Sequence, residues 1–316
     1  MVQTALNRRS FVSLAAAATA ASFAPRWLRA QGAVPDRIAQ GRVLAAQTPI
    51  TMTKLSDNVY LLQGFGGNMA LQTGSEGNLL VDSSFSTSVP KVLAAIAGIS
   101  KDTPHTLINT HWHYDHTDGN EGMHAAGFAI LAHKQTRERL STPQVINFFH
   151  ITVPPDPVAS WPTITFDDFM HLWHNGESID LAHFDAAHTD TDIYIHFHDA
   201  DVLHVGDIWF NGTYPFIDES TLGNIGGMIK ASESALALAG QKTKIIPGHG
   251  PLGDKAQLQK YRDMLSTIRD SVAALKAGGA SEQEAIAKKP TSALDAMWGK
   301  GFVNGDVITG LVYRTL

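Results

Sequence analysis

Residues His111-Trp112-His113-Tyr114-Asp115-His116 put three imidazoles and a carboxylate within six positions. Burying such a cluster is costly unless a cation takes up its lone pairs. Imidazole nitrogen and carboxylate oxygen suit zinc, manganese or iron. The segment reads as a metal site. His111 and His113 are two residues apart and can point the same way from the end of an extended strand. Asp115 and His116 lie past the turn and face a second position. Four ligands this close cannot all reach one tetrahedral ion without strain, so the spacing points to two adjacent ions.

Three later positions complete the set. His188 sits in the polar turn Asp185-Ala186-Ala187-His188-Thr189-Asp190. Asp207 ends the run Val202-Leu203-His204-Val205-Gly206-Asp207, and His249 lies in Ile245-Ile246-Pro247-Gly248-His249-Gly250-Pro251. All three stand where a strand stops, the place at which open α/β sheets build their sites.

The elements that must position these groups follow from periodicity and punctuation. Short strands are expected around 59–63, 69–72 and 78–82, separated by glycines, then a helix over 89–97. The strand 106–109 delivers His111 at its end. A strand over 128–132 and a helix over 134–140 follow, and the proline-rich stretch 141–163 reads as an irregular loop. Its Phe148, Phe149 and Trp161 are expected to serve packing. Residues 169–205 carry four strands with turns at Asn175-Gly176 and Asp199-Ala200-Asp201. Helices over 225–239 and 257–275 cover the outer faces. The expected fold is α/β, a four-layer αβ/βα sandwich. His196, His198 and His204 read as partly exposed strand residues, and His133, His150, His171, His174 and His183 as isolated, structural histidines.

This order of motifs resembles the metallo-β-lactamase superfamily over roughly residues 51–255. Asp82, ending Asn78-Leu79-Leu80-Val81-Asp82, matches the family's first motif, a carboxylate that buttresses the metal loop. His111, His113, Asp115 and His116 match the second, and His188, Asp207 and His249 the third to fifth. The resemblance implies that His111, His113 and His188 hold one ion and Asp115, His116 and His249 the other, with Asp207 bridging. It implies two Zn2+ ions, with Mn2+ or Fe2+ as other divalent options. It also implies a hydrolase in which a hydroxide shared by the ions attacks a carbonyl: an amide, lactone or thioester, with β-lactams included. The leaving group's proton is expected from Asp115 or a metal-bound water. The β-lactamases proper usually carry Cys or Ser where Asp207 stands, and this chain has no cysteine. Yet Leu222-Gly223-Asn224-Ile225-Gly226-Gly227 is similar to a substrate-contacting loop of class B1 β-lactamases, which makes Asn224 a catalytic candidate. The alternatives are a class B-like β-lactamase proper and a periplasmic accessory protein that holds metal without turnover.

Composition bounds the remainder. With a net charge of −6 over 316 residues, the chain lacks the basic footprint of a nucleic-acid binder. Zero cysteines exclude disulfides and thiolate ligands. Asn7-Arg8-Arg9-Ser10-Phe11-Val12, followed by an alanine-rich apolar stretch too short for a membrane span, reads as a bacterial Tat export signal over 1–30. The expected organisation continues with an N-terminal extension over 31–50 and the metallo-β-lactamase-like domain over 51–255. A helical C-terminal extension, 256–316, packs on the same domain. The expected partners are the Tat machinery and a small anionic substrate, in a periplasmic or secreted protein without a lasting membrane span.

Overall fold

Alternation of apolar side chains along the strands decides how the layers stack. The computed structural model describes residues 36–102 and 105–316; the expected export signal lies outside them. Helix α1 (Asp36–Gln47) precedes an antiparallel run of β1 (Thr51–Lys54), β2 (Val59–Gln63), β3 (Met69–Gln72) and β4 (Asn78–Val81). Helix α2 (Val89–Ala97) then crosses to β5 (His105–Ile108). Two short helices, α3 (Tyr114–Thr117) and α4 (Asn120–Ala125), lead to β6 (Phe128–His133) and α5 (Lys134–Ser141). The stretch expected to be an irregular loop instead holds a small hairpin of β7 (Gln144–Ile146) and β8 (Ile151–Val153), before β9 (Ile164–Phe166). Its prolines lie outside the paired residues, so they do not interrupt the ladder.

The first sheet has the order β1-β2-β3-β4-β5-β6-β9, and from β4 onward its neighbours run parallel. The second sheet contains β10 (Phe169–His174), β11 (Glu177–His183), β12 (Ile193–Phe197), β13 (Val202–His204) and β14 (Lys244–Ile246), in that order. Its last pair is parallel, because α6 (Ile225–Leu238) crosses between β13 and β14. Helices α7 (Lys255–Ala277), α8 (Glu282–Ala287), α9 (Asp295–Trp298) and α10 (Gly305–Thr315) complete the chain. Asp254 caps α7 in a reciprocal box with Gln257.

Three apolar clusters define three interfaces. Leu61, Leu79, Val81 and Ile108 of the first sheet meet Ile179, Leu181, Ile195 and Phe197 of the second. The alternate residues of the first sheet, Leu62, Leu71, Leu80 and Leu107, pack under Val92 and Ile96 of α2. On the other side Leu203 and Ile245 pack under Met228, Leu258, Leu265 and Ile308 from α6, α7 and α10. Helix, sheet, sheet, helix is the four-layer αβ/βα sandwich expected from the sequence. Among the described residues no helix is long and apolar enough to cross a membrane.

One expectation about the strands needs correction. His204 is fully buried and His196 nearly so. Strand β13 lies between β12 and β14 with both faces covered, so its histidine must find partners inside. His204 Nε2 meets the Asn68 carbonyl at 3.2 Å, and its Nδ1 accepts the Gly206 N–H.

Candidate metal centre

The chemistry-bearing residues gather where strands of both sheets end. His111 follows β5, Asp207 follows β13 in a 3-10 turn, His249 follows β14, and His188 lies between β11 and β12. Main-chain bonds lock these ends together. Ile193 N–H donates to the Thr110 carbonyl, Gly67 N–H to that of Asp115, and Asn68 N–H to that of Gly248. Two glycines are needed for this closeness. A Cβ on Gly67 would run into the His116 ring, and one on Gly248 into the Asp207 carboxylate.

All seven predicted ligand residues converge, in two groups. His111, His113, His188 and Asp207 form one, and Asp115, His116 and His249 the other; within each, one ligand atom per residue lies within 4.8 Å of the rest. Asp207 stands between them. Its Oδ2 is 3.4 Å from His188 Nε2, 3.8 Å from His111 Nε2 and 3.3 Å from His249 Nε2, while Oδ1 is 3.1 Å from His116 Nε2. Asp115 Oδ2 is 3.3 Å from His249 Nε2.

The far nitrogen of each deeply buried imidazole is already engaged. Asp82 accepts from His116 Nδ1 at 2.8 Å while also accepting from the Thr110 N–H and hydroxyl. It adopts φ +62, a left-handed conformation more tolerable for Asp than for most side chains. His111 Nδ1 meets the Thr110 hydroxyl at 3.0 Å, and His188 Nδ1 donates to the Phe216 carbonyl at 2.8 Å. His113 Nε2 donates to Asp218 at 3.0 Å, which leaves Nδ1 facing His188 Nε2 at 2.8 Å. Asp218 also accepts from the Thr221 hydroxyl and the Ser220 N–H. Sequence reasoning missed Asp218; Asp218-Glu219-Ser220-Thr221 looks like an ordinary turn, and nothing in its spacing points to a residue 105 positions earlier.

Whether this set fits a cation is tested by its unpaired atoms. His111 Nε2 is buried without a hydrogen-bond partner and Asp207 Oδ1 has only the His116 ring at 3.1 Å, an arrangement that costs free energy unless something electron-poor takes up their lone pairs. Oriented imidazoles with occupied outer nitrogens and a central carboxylate are what a divalent ion requires. The residues fit a metal.

Charge points the same way. Burial, reinforced by His116, holds the His111 imidazole well below the ordinary histidine value, and burial brings His188 down to about 4. Both keep lone pairs free at neutral pH. Burial also disfavours charge on His116 and His249, but Asp207 with Asp82 and Asp115 outweighs it. His116 rises well above the ordinary value, and His249 to about 9. For Asp115 burial is outweighed by His116 and His249, which hold its carboxyl below the usual range.

A cavity of about 480 Å³ opens onto this cluster and is lined by His113, Asp115, Asp207 and His249. His111, His116 and His188 stand behind them, fully buried. Helix α1, read from sequence as mere extension, supplies Arg37, Gln40, Gly41 and Leu44 to the cavity. Phe149 lines it too, while Phe148 packs against Phe149 and Phe216, and Trp161 donates to the Asp156 carbonyl. Asn224 does not line the cavity. It caps α6, accepting from the Gly227 N–H at 2.7 Å and donating to the carbonyls of Ala186 and Leu222. Its whole amide is spent on backbone, which argues against the catalytic part expected of it.

Comparison with known proteins agrees with this fold. The family model described as "Metallo-beta-lactamase superfamily" matches residues 62–250. A metallo-beta-lactamase from Pontibacter korlensis superposes with a TM-score of 0.57 at 16% identity, covering 69% of this chain and 99% of its own. DIM-1 metallo-beta-lactamase gives 0.56 at 16%, covering 69% and 98%. The stereoselective inverting sec-alkylsulfatase Pisa1 from Pseudomonas sp. gives 0.64 at 16%, covering 90% of this chain and 53% of that one. A search of curated proteins found no match.

Proposed function

The chain belongs to the metallo-beta-lactamase superfamily, and from that premise we propose that it is a dinuclear zinc-dependent hydrolase of small carbonyl substrates. The observation carrying this reading is Asp207, whose two oxygens lie within about 3–4 Å of both histidine groups at the floor of an open cavity. Ions held there would supply Lewis acidity toward a substrate oxygen and make water a nucleophile near neutral pH. His111, His113 and His188 would hold one ion, and Asp115, His116 and His249 the other, with Asp207 shared.

The chain's own groups have distinct tasks in this reading. Asp82 and Asp218 fix the rings of His116 and His113, so no reorientation is needed when substrate arrives. Asp115 reaches the cavity beside the cluster, where its carboxylate would relay a proton to the leaving group.

A sulfate ester is the second reading. Likeness to the sec-alkylsulfatase extends over 90% of this chain, against 69% for the β-lactamases. Export by the Tat route, resting on Arg8-Arg9 and the apolar stretch behind them, remains part of the proposal. The deciding experiment assays zinc-loaded protein against a cephalosporin, a lactone, a thioester and a secondary alkyl sulfate, with metal content measured in parallel. Chelator-sensitive cleavage of one carbonyl substrate is expected. Cleavage of the sulfate alone would favour the second reading, and two bound ions with no turnover would favour a metal-holding accessory protein.

A further inference from the structure

The cavity is built for more than a reacting bond. Its walls are aromatic, drawn from separate segments: Phe65 between β2 and β3, Phe85 after β4, Phe149 in the β7–β8 hairpin, Phe216 after β13 and Phe302 before α10. At its rim stands Arg37, the only Lys or Arg among the described residues that line it. The guanidinium carbon lies 3.7 Å above the Phe149 ring centroid and 5.6 Å from that of Phe302. Its Nε–H donates to the Tyr114 hydroxyl at 3.2 Å. These partners are two phenyl rings and a phenol, none of them a carboxylate. Among the described residues neither terminal nitrogen has a hydrogen-bond partner, and the side chain lines the cavity.

Arg37 is not needed to hold its own helix down. Arg42, one turn further on, makes a two-pronged contact with Asp118, at 2.9 Å through Nε and 2.5 Å through Nη2. Lys91 donates to carbonyls at the end of α1. A stacked, exposed guanidinium with unused paired donors is the usual way of gripping a planar oxyanion.

We infer that Arg37 is a specificity-determining residue, and that the substrate is an amphiphilic anion. Its aryl or alkyl body lies along the phenylalanines, with an oxyanion (carboxylate or sulfate) at the end away from the bond cut. This rests on the cavity being the substrate pocket of the proposed hydrolase, but its test does not need turnover.

Calorimetric titration of the metal-loaded protein compares 3-phenylpropanoate with 1,4-phenylenedipropanoate. The two share a body, and the second carries an additional carboxylate at its far end. The diacid is expected to bind about five- to tenfold more tightly, as for one charge-assisted contact at a partly open rim. That gain should shrink in high salt, disappear in Arg37→Gln and return in part in Arg37→Lys, with metal content and monoacid affinity held. No gain in the unaltered protein, or a gain that survives Arg37→Gln, overturns the inference. The unaltered protein and its salt dependence suffice should the variant fold poorly. An inert protein whose diacid preference is lost in Arg37→Gln would keep this inference while sinking the hydrolase.

Discussion

Asp218 Oδ2 lies 3.0 Å from His113 Nε2, and this contact decides which nitrogen of that ring reaches the cluster. His113 offers Nδ1, whereas His111, His116, His188 and His249 offer Nε2. Asp218→Asn weakens the acceptor and frees the ring to turn. Metal affinity should fall about 10–100-fold, as for other outer partners of ligating histidines, with the far-UV circular dichroism unchanged. Competition against a chromophoric chelator measures it. Unchanged affinity would remove Asp218 from the site.

Metal capture should release protons. In the metal-free protein Asp207 and Asp115 outweigh the effect of burial and raise His249 to about 9, so at neutral pH its ring is charged. A ligating nitrogen cannot keep that proton. Affinity for Zn2+ should therefore fall about tenfold for each pH unit below 9 through this residue alone. Zinc titrations near pH 6.5 and 8.5, in buffers of different ionisation enthalpy, would show both the trend and the released proton. Equal affinities at the two values would contradict it.

Asn224→Ala separates a helix cap from a catalytic group. Loss of the bond to Gly227 N–H should cost about 1 kcal/mol and lower the melting temperature by about 2–4 °C. Turnover of whatever substrate is found should stay within about twofold, less than the 10²–10⁴ of a proton-transfer residue. A large drop in kcat at intact stability would restore Asn224 to the reaction.

Asp156 gives a second pH signature, away from the cluster. Burial, with Asp118 nearby, pushes its carboxyl up to about 7 despite Arg42. The unfolded chain loses this proton near pH 4, so between roughly 4 and 7 the folded state holds the extra proton and stability declines as pH rises. Asp156→Asn should remove that decline and raise the melting temperature at pH 8 relative to the parent, by about 2–4 °C if the gain is near 1 kcal/mol. Parallel curves for the two proteins at pH 5 and pH 8 would defeat the assignment.

Much of the centre was legible because its residues are of rare type and stand at strand ends. His111, His113, Asp115 and His116 announce themselves by density, and His188, Asp207 and His249 by following apolar runs. The sandwich was legible for a related reason: Leu61 against Leu62, and Leu79 against Leu80, send successive side chains to different layers. What stayed hidden depends on distance in the chain. Asp218 meets His113 only after β6 through β13 have folded between them. Arg37 lies in a helix whose sequence gives no sign that it roofs a cavity. His204 shows the same limit, since only sheet order reveals that β13 is covered on both sides. Asn224 was ambiguous for another reason, because a glycine-flanked asparagine serves a helix start as readily as a substrate loop, and here it caps α6.

The ligand set is divided between the halves of the sandwich. His111, His113, Asp115 and His116 hang from the first sheet, and His188, Asp207 and His249 from the second. Any ion captured there becomes a rivet through the molecule, added to the hydrogen bonds from Ile193 to Thr110 and from Asn68 to Gly248 that already join the two β layers at that edge. Loading and mechanical integrity are then linked: a chain that acquires its metal gains cross-ties at that seam, and resistance to a protease along that rim should rise with loading.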